Sequence, residues 1–179
     1  MVLVGHSYGV MVIAGVAEKA AERLAHLVYL DVVVPEDGKS LIDFQPPEVL
    51  AIFHEKARTE GDGYKLPSFP AEVFSVTNKD DLAWVKSRLN PHPFKTKLDA
   101  VRLTNPKAAE IPRACIYCNN PAVGPFRQFA EGLRYDESWQ YVELATGHDA
   151  MITEPKKLAD LLLEIAVTSF CATTCAVRK

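Results

Sequence analysis

One serine in this chain stands where it could act as a nucleophile. Ser7 is framed as Gly5-His6-Ser7-Tyr8-Gly9, a G-x-S-x-G pattern. The pattern works as a strand, a sharp turn that carries the serine, and a helix. Val2-Leu3-Val4 supplies the strand, and an apolar, Ala-rich run after Gly9 supplies the helix. Gly5 and Gly9 lack Cβ, which would let strand and helix approach closely around a strained serine. A serine hydroxyl is a weak nucleophile until a base takes its proton. Of His6, His26, His54, His92 and His148, the last is best placed, in Ala145-Thr146-Gly147-His148-Asp149. That loop follows a strand and precedes a helix, on the sheet edge that also presents Ser7. His6 adjoins the serine; neighbours in such a turn point apart, so it is expected to pack or hydrogen-bond locally. His26, His54 and His92 read as structural or exposed.

An imidazole base needs a partner that orients it and stabilises its cation. The loop after the strand ending at Cys118 reads Asn119-Asn120-Pro121, with no acid. An asparagine can orient an imidazole but cannot offset its charge. Asp31, on the strand after the serine's helix, is the favoured acid, with Asn119 or Asn120 as the lesser orienter. Asp149 is expected to face away or cap the loop. The backbone N–H of Tyr8, the residue after the nucleophile, would hold an oxyanion. A second donor commonly comes from a loop after an earlier strand, and only six residues precede Ser7. Losing one such donor costs about 10²–10³ in turnover.

The elements that must position these groups follow from periodicity. Val2–Val4 reads as a strand, and residues 8–23 as a helix with Val10, Ile13, Ala14 and Ala17 on its apolar side. His26–Val34 is a continuous apolar run, as for a strand buried on both faces. Arg113–Cys118 and Trp139–Leu144 read as further strands, residues 125–133 and 156–166 as helices. Strand–helix alternation of this kind implies a parallel sheet covered by helices. Between Lys39 and Pro112 the texture changes. Seven prolines fall between Pro46 and Pro106, with short helices expected over 47–59 and 79–90. This segment is expected to be an inserted cap over the site, within a single domain spanning 1–179. Residues 170–179 carry no periodic pattern and are expected to fray.

Composition narrows the classes. The chain has 179 residues, 48% of them hydrophobic, and a net charge of −3 with scattered Lys and Arg, which gives no nucleic-acid footprint. No run approaches the roughly 18 apolar residues of a membrane span, and no signal peptide is evident, so a cytoplasmic location is expected. Cys115 and Cys118 are three apart on a strand and face opposite sides, a poor arrangement for chelation, so no metal is expected there or with Cys171 and Cys175.

Three segments together carry a resemblance: V-L-V-G-H-S-Y-G at 2–9 with the helix after it, Y-L-D-x-x-V-P-E-D-G at 29–38, and T-G-H-D-A-M-I-T-E-P at 146–155. In this order they resemble bacterial α/β-hydrolases close to the esterase, plant methylesterase and hydroxynitrile lyase group, over about residues 1–166. The resemblance implies a nucleophile at Ser7, a base at His148, no metal or organic cofactor, and a small carboxylic ester as substrate. It also implies departures. Val10 stands where a second glycine is usual, asparagine fills the common acid position, and the family's first strands and oxyanion loop are missing. The fold expected is therefore the C-terminal portion of an α/β-hydrolase, N-terminally truncated: a mostly parallel sheet flanked by helices, with an inserted helical cap. Val2–Val4 would then be an exposed edge, open to self-association. Three functions stay open: a serine hydrolase working through an acyl-enzyme, an inactive or ligand-binding relative, and lyase-like carbon–carbon cleavage. The last would need a lysine from among Lys56, Lys65, Lys95 and Lys97.

Overall fold

Uninterrupted apolar runs belong to strands covered on both faces, and such runs organise this molecule. The structure is a computed structural model that describes the backbone of residues 1–176 and the side chains of residues 1–167. Its described strands are β1 (Val2–His6), β2 (His26–Leu30), β3 (Lys65–Leu66), β4 (His92–Pro93), β5 (Arg113–Cys118) and β6 (Trp139–Leu144). The main sheet runs β1-β2-β5-β6 and is parallel throughout, with Val4 opposite Val28, Val28 opposite Ala114, and Ala114 opposite Gln140. The strand β1 lies at one edge, and β3 and β4 form a separate antiparallel ribbon.

Side-chain alternation splits the core into two layers. Leu27, Tyr29, Cys115 and Trp139 face one side and pack with Val10, Ile13 and Ala17 of helix α1 (Gly9–Ala20). Val28, Leu30, Ala114, Ile116 and Cys118 face the other. The helices are α1, α2 (Pro47–Glu60), α3 (Lys79–Lys86), α4 (Pro106–Ala109), α5 (Phe126–Leu133), α6 (Ala150–Thr153) and α7 (Pro155–Ala176). Leu158 and Ile165 of α7 cover the second layer. Cys115 and Cys118 thus belong to opposite layers. Both thiols are buried, which pushes Cys115 up to about 12 and Cys118 higher still. The side chains of Cys171 and Cys175 lie outside the described ones. The helix α7 carries the backbone to Ala176, and the rest of the stretch expected to fray is outside the described residues.

The boundaries differ from the sequence expectation where local chemistry overrides periodicity. The apolar run from His26 continues through Val34, but the strand stops at Leu30, because Asp31 turns into the left-handed region (φ 47°). Asn78 caps α3 by accepting from the N–H groups of Asp80 and Asp81, and α3 ends at Lys86 rather than near Asn90. The ribbon β3–β4 was not expected, since each strand is only two residues long. The segment between β2 and β5 holds α2, α3, α4 and this ribbon, with two small apolar clusters around Phe94 and Val76.

Candidate active site

The turn after β1 is tight because Gly5 allows it. A Cβ on Gly5 would meet Ile13 Cδ1 at 2.8 Å and Val10 Cα at 2.9 Å, so the strand backbone packs there directly on the Ile13 side chain and the Val10 backbone of α1. Gly9 has no such role, since a Cβ there would meet nothing within 4 Å. Ser7 follows at φ 51°, a left-handed conformation that a serine adopts only when its surroundings impose it. Its N–H reaches the Leu30 carbonyl at 3.4 Å, tying the turn to the end of β2. Tyr8 is the N-cap of α1, so its N–H precedes the internal bonds of the helix.

Asp31 ends β2 with the second strained turn. Its N–H donates to the Ile116 carbonyl (2.8 Å), and its Oδ1 accepts from the N–H of Cys118 (3.2 Å). Its Oδ2 lies 2.7 Å from His148 Nδ1, with the two side chains 1% and 2% exposed. A carboxylate can only accept, so His148 Nδ1 carries the proton and donates it, leaving Nε2 as the basic nitrogen. The ring is fixed from several sides. Phe126 stacks on it (5.0 Å between centroids, 8° between planes), Phe74 packs at 5.1 Å, and His6 at 4.4 Å.

His6 donates from Nε2 to the backbone carbonyl of His148 at 3.0 Å. Burial, followed by the proximity of His148, lowers its pKa from 6.5 to about 4. His6, His148 and Asp149 offer ligand atoms within 4.8 Å of one another, the described grouping that could hold a metal ion. His148 Nδ1 and His6 Nε2 are, however, already engaged by Asp31 and by the His148 carbonyl. Burial raises the Asp149 carboxyl above its ordinary value.

Ser7 and His148 open onto one cavity of about 250 Å³. Its wall is mostly apolar and draws Leu41, Phe53, Phe69 and Phe74 from the segment between β2 and β5 and Phe126 from the start of α5. That segment presses directly on the histidine loop. A Cβ on Gly147 would sit 2.3 Å from Ser75 Cβ, and Asp149 N–H points to the Phe74 carbonyl at 3.5 Å. Of the lysines in this segment, Lys97 lines the cavity, while Lys65 and Lys95 pair with Asp62 and Asp99.

The structure therefore brings Ser7, Tyr8, Asp31 and His148 to one end of the sheet. The two asparagines do not join them: Asn119 Nδ2 donates to Glu143 Oε2 (2.9 Å), and the Asn120 backbone N–H donates to the Thr146 carbonyl. Among the other histidines, His26 is buried, His54 packs on Phe94, and His92 Nε2 meets Thr96 Oγ1 at 2.6 Å. Sequence reasoning missed Phe74 and Phe126, which reach the site through tertiary placement without any local pattern, and it named Lys97 only as one of four lysines without a place.

The family described as "Alpha/beta hydrolase family" matches over residues 2–161. A carbendazim hydrolyzing esterase from Nocardioides sp. (strain SG-4G) is 39% identical over 170 residues, covering 90% of this chain and 69% of that protein. Polyneuridine aldehyde esterase from Rauvolfia serpentina is 24% identical over 184 residues, covering 93% of this chain and 69% of that protein. Among solved structures, an extracellular alpha/beta-hydrolase from a Paenibacillus species superposes with a TM-score of 0.75 at 23% identity, over 92% of this chain and 71% of that one. The match over 2–161 corrects the expectation of a C-terminal portion of the fold: the family pattern spans nearly the whole chain. The physical reason is on the sheet itself. The strand–turn–helix around Ser7, the strand ending in Asp31 and the strand leading to His148 all pair within one parallel sheet flanked by helices.

Proposed function

The chain belongs to the alpha/beta hydrolase family, and from that premise we propose that it cleaves a small carboxylic ester through a covalent acyl-serine. The observation that carries this reading is the buried 2.7 Å contact between Asp31 and His148, set behind a cavity that Ser7 also lines. Ser7 Oγ attacks the ester carbonyl carbon while His148 Nε2 takes the hydroxyl proton. The tetrahedral oxyanion accepts from the Tyr8 N–H. As the intermediate collapses, the ester C–O bond breaks and His148 returns its proton to the departing alkoxide oxygen. Water, deprotonated by the same nitrogen, then attacks the acyl carbon and releases the acid and Ser7. Through both halves Asp31 stabilises the imidazolium and holds the Nδ1 proton in place. His6 stays uncharged near neutral pH and adds no repulsion to that cation.

The segment between β2 and β5 acts as the cap in this reading. It supplies the apolar wall that excludes water and selects the ester. Among the described residues, no helix is long and apolar enough to cross a membrane.

Labelling with a fluorophosphonate, read by mass spectrometry beside Ser7→Ala, tests the reading. Modification confined to Ser7 and absent from the variant is expected. Folded protein that leaves Ser7 unmodified would overturn it.

A further inference from the structure

The cavity wall is apolar apart from a few groups, and one of these has no part in the chemistry proposed above. Lys97 ends a 3₁₀ turn (Phe94–Lys97) that is anchored by buried Phe94, whose N–H bonds the Tyr64 carbonyl at 2.8 Å. The turn directs the lysine toward the nucleophile's neighbour: Nζ sits 5.5 Å from the centre of the Tyr8 ring. No carboxylate pairs with Lys97 among the described residues, although most other lysines of that segment have one. None of the described residues lining the cavity is acidic. The Tyr8 ring offers only a cation–π contact, worth about 0.5–1 kcal/mol at an exposed site. Burial accordingly lowers the Lys97 pKa, and burial, followed by the Lys97 charge, lowers that of His92.

A half-buried ammonium without a counter-charge is costly to keep unless a ligand supplies the missing charge. We propose that Lys97 forms a subsite for a carboxylate carried by the ester substrate, so that the enzyme prefers esters with a second, anionic end. This rests on the ester-hydrolase reading for Ser7, but the subsite is a matter of binding and can be read without turnover. The alternative for a lysine at such a place is to lay its methylenes on the cavity wall and send its charge to water, which would confer no preference.

The test uses two matched pairs of esters, each with a neutral and a carboxylate member. One pair differs on the acyl side (4-nitrophenyl pentanoate and 4-nitrophenyl hydrogen glutarate). The other differs on the alcohol side (4-methylphenyl acetate and 4-acetoxybenzoate). Calorimetric titration into Ser7→Ala protein measures binding without hydrolysis. In one pair the carboxylate ester should bind about tenfold or more tightly than its neutral partner, the range that a hydrogen bond to a charged group contributes. Adding Lys97→Met should erase that preference and change the neutral ester's affinity by less than about threefold, as expected if only charge pairing is lost. Lys97→Arg should retain the preference, and added salt should weaken it. Absence of preference in both pairs, or a preference that survives Lys97→Met, would overturn the proposal. Fluorophosphonate labelling of Ser7 in the parent protein reports separately on the hydrolytic machinery, so failure of the subsite and failure of the hydrolase reading are told apart.

Discussion

Replacing Asp31 by asparagine removes one charge and almost no volume, and the structure specifies what that should do. The carboxylate accepts twice, from Cys118 N–H through Oδ1 at 3.2 Å and from His148 Nδ1–H through Oδ2 at 2.7 Å. An amide has a single oxygen. If that oxygen faces Cys118, the amide NH₂ donates to His148 Nδ1 and forces the ring proton onto Nε2, the nitrogen that accepts from Ser7 in the proposed mechanism. If the oxygen faces His148, the NH₂ opposes the Cys118 N–H, donor against donor. Either way the buried pair loses its charge. With charge centres about 4 Å apart and an effective dielectric of about 20, the attraction to the imidazolium is about 4 kcal/mol. At about 1.4 kcal/mol per decade this is about 10³ in kcat, and the wrong tautomer extends it toward about 10⁴. KM for a small aryl ester should move by less than about threefold, because Asp31 lies behind the histidine and not on the cavity wall. The assay is steady-state hydrolysis of 4-nitrophenyl acetate together with the rate of Ser7 labelling, on protein whose circular dichroism matches the parent. A folded variant retaining more than about a tenth of the parent kcat would refute the assignment of Asp31 as the group that orients and charges the base.

His6 should make stability depend on pH in a defined direction. Its pKa lies at about 4 in the folded chain and at the ordinary 6.5 in the unfolded one, so between those values the unfolded chain binds a proton that the folded chain does not. Stability therefore falls as the pH drops through that window, by at most about 3 kcal/mol, and His6→Gln should flatten the dependence in urea titrations at about pH 7.5 and about pH 4.5. An unchanged slope would remove His6 from the account. The two glycines flanking Ser7 should respond in opposite ways. Gly5→Ala drives a methyl into Ile13 and the Val10 backbone and should cost about 1–3 kcal/mol along with most of the Ser7 labelling. Gly9→Ala meets open space and should stay within about 1 kcal/mol of the parent in thermal melts. Equal losses at both positions would contradict the packing around the turn.

The parts of the site that were legible in the sequence are those whose chemistry is local. The turn at Ser7 is announced by its glycines and the apolar runs around them, and the histidine loop by the strand before it and the helix after it. Both follow strands that the sequence marks out, and β5 and β6 occupy the expected spans, Arg113–Cys118 and Trp139–Leu144. The end of β2 was not legible. Val32 and Val33 extend the apolar run and are buried, so nothing in the pattern signals that the backbone leaves the sheet at Asp31. The cavity wall was less legible still. Phe74 ends a 3₁₀ turn between a proline and a serine, and Phe126 stands at the head of a short amphipathic helix. Their shared neighbour, His148, is far away in sequence and close only in the folded chain.

The sheet explains how the asparagines after β5 are compatible with a charged partner for the histidine. The strands β2 and β5 are parallel neighbours, with Leu30 opposite Ile116, so the residue after β2 is level with Tyr117 and emerges beside the end of β5 at the same edge. Asp31 reaches across that gap, its N–H bonded to Ile116 and its Oδ1 held by the N–H of Cys118. Thus β5 contributes backbone donors and acceptors that fix the residue, and the carboxylate itself comes from β2. The left-handed turn at Asp31 is what points the side chain along the edge toward β6 and the loop after it. An acid placed directly after β5 would introduce a second negative charge near a pair already buried at 2% and 1% exposure. A neutral Asn119, which instead bonds Glu143 at the surface, avoids that repulsion. On this argument Asn119→Asp should not substitute for Asp31. Combined with Asp31→Asn, it should leave kcat as low as the Asp31→Asn variant alone, and recovery of more than about tenfold in the double variant would show that either strand end can serve the histidine.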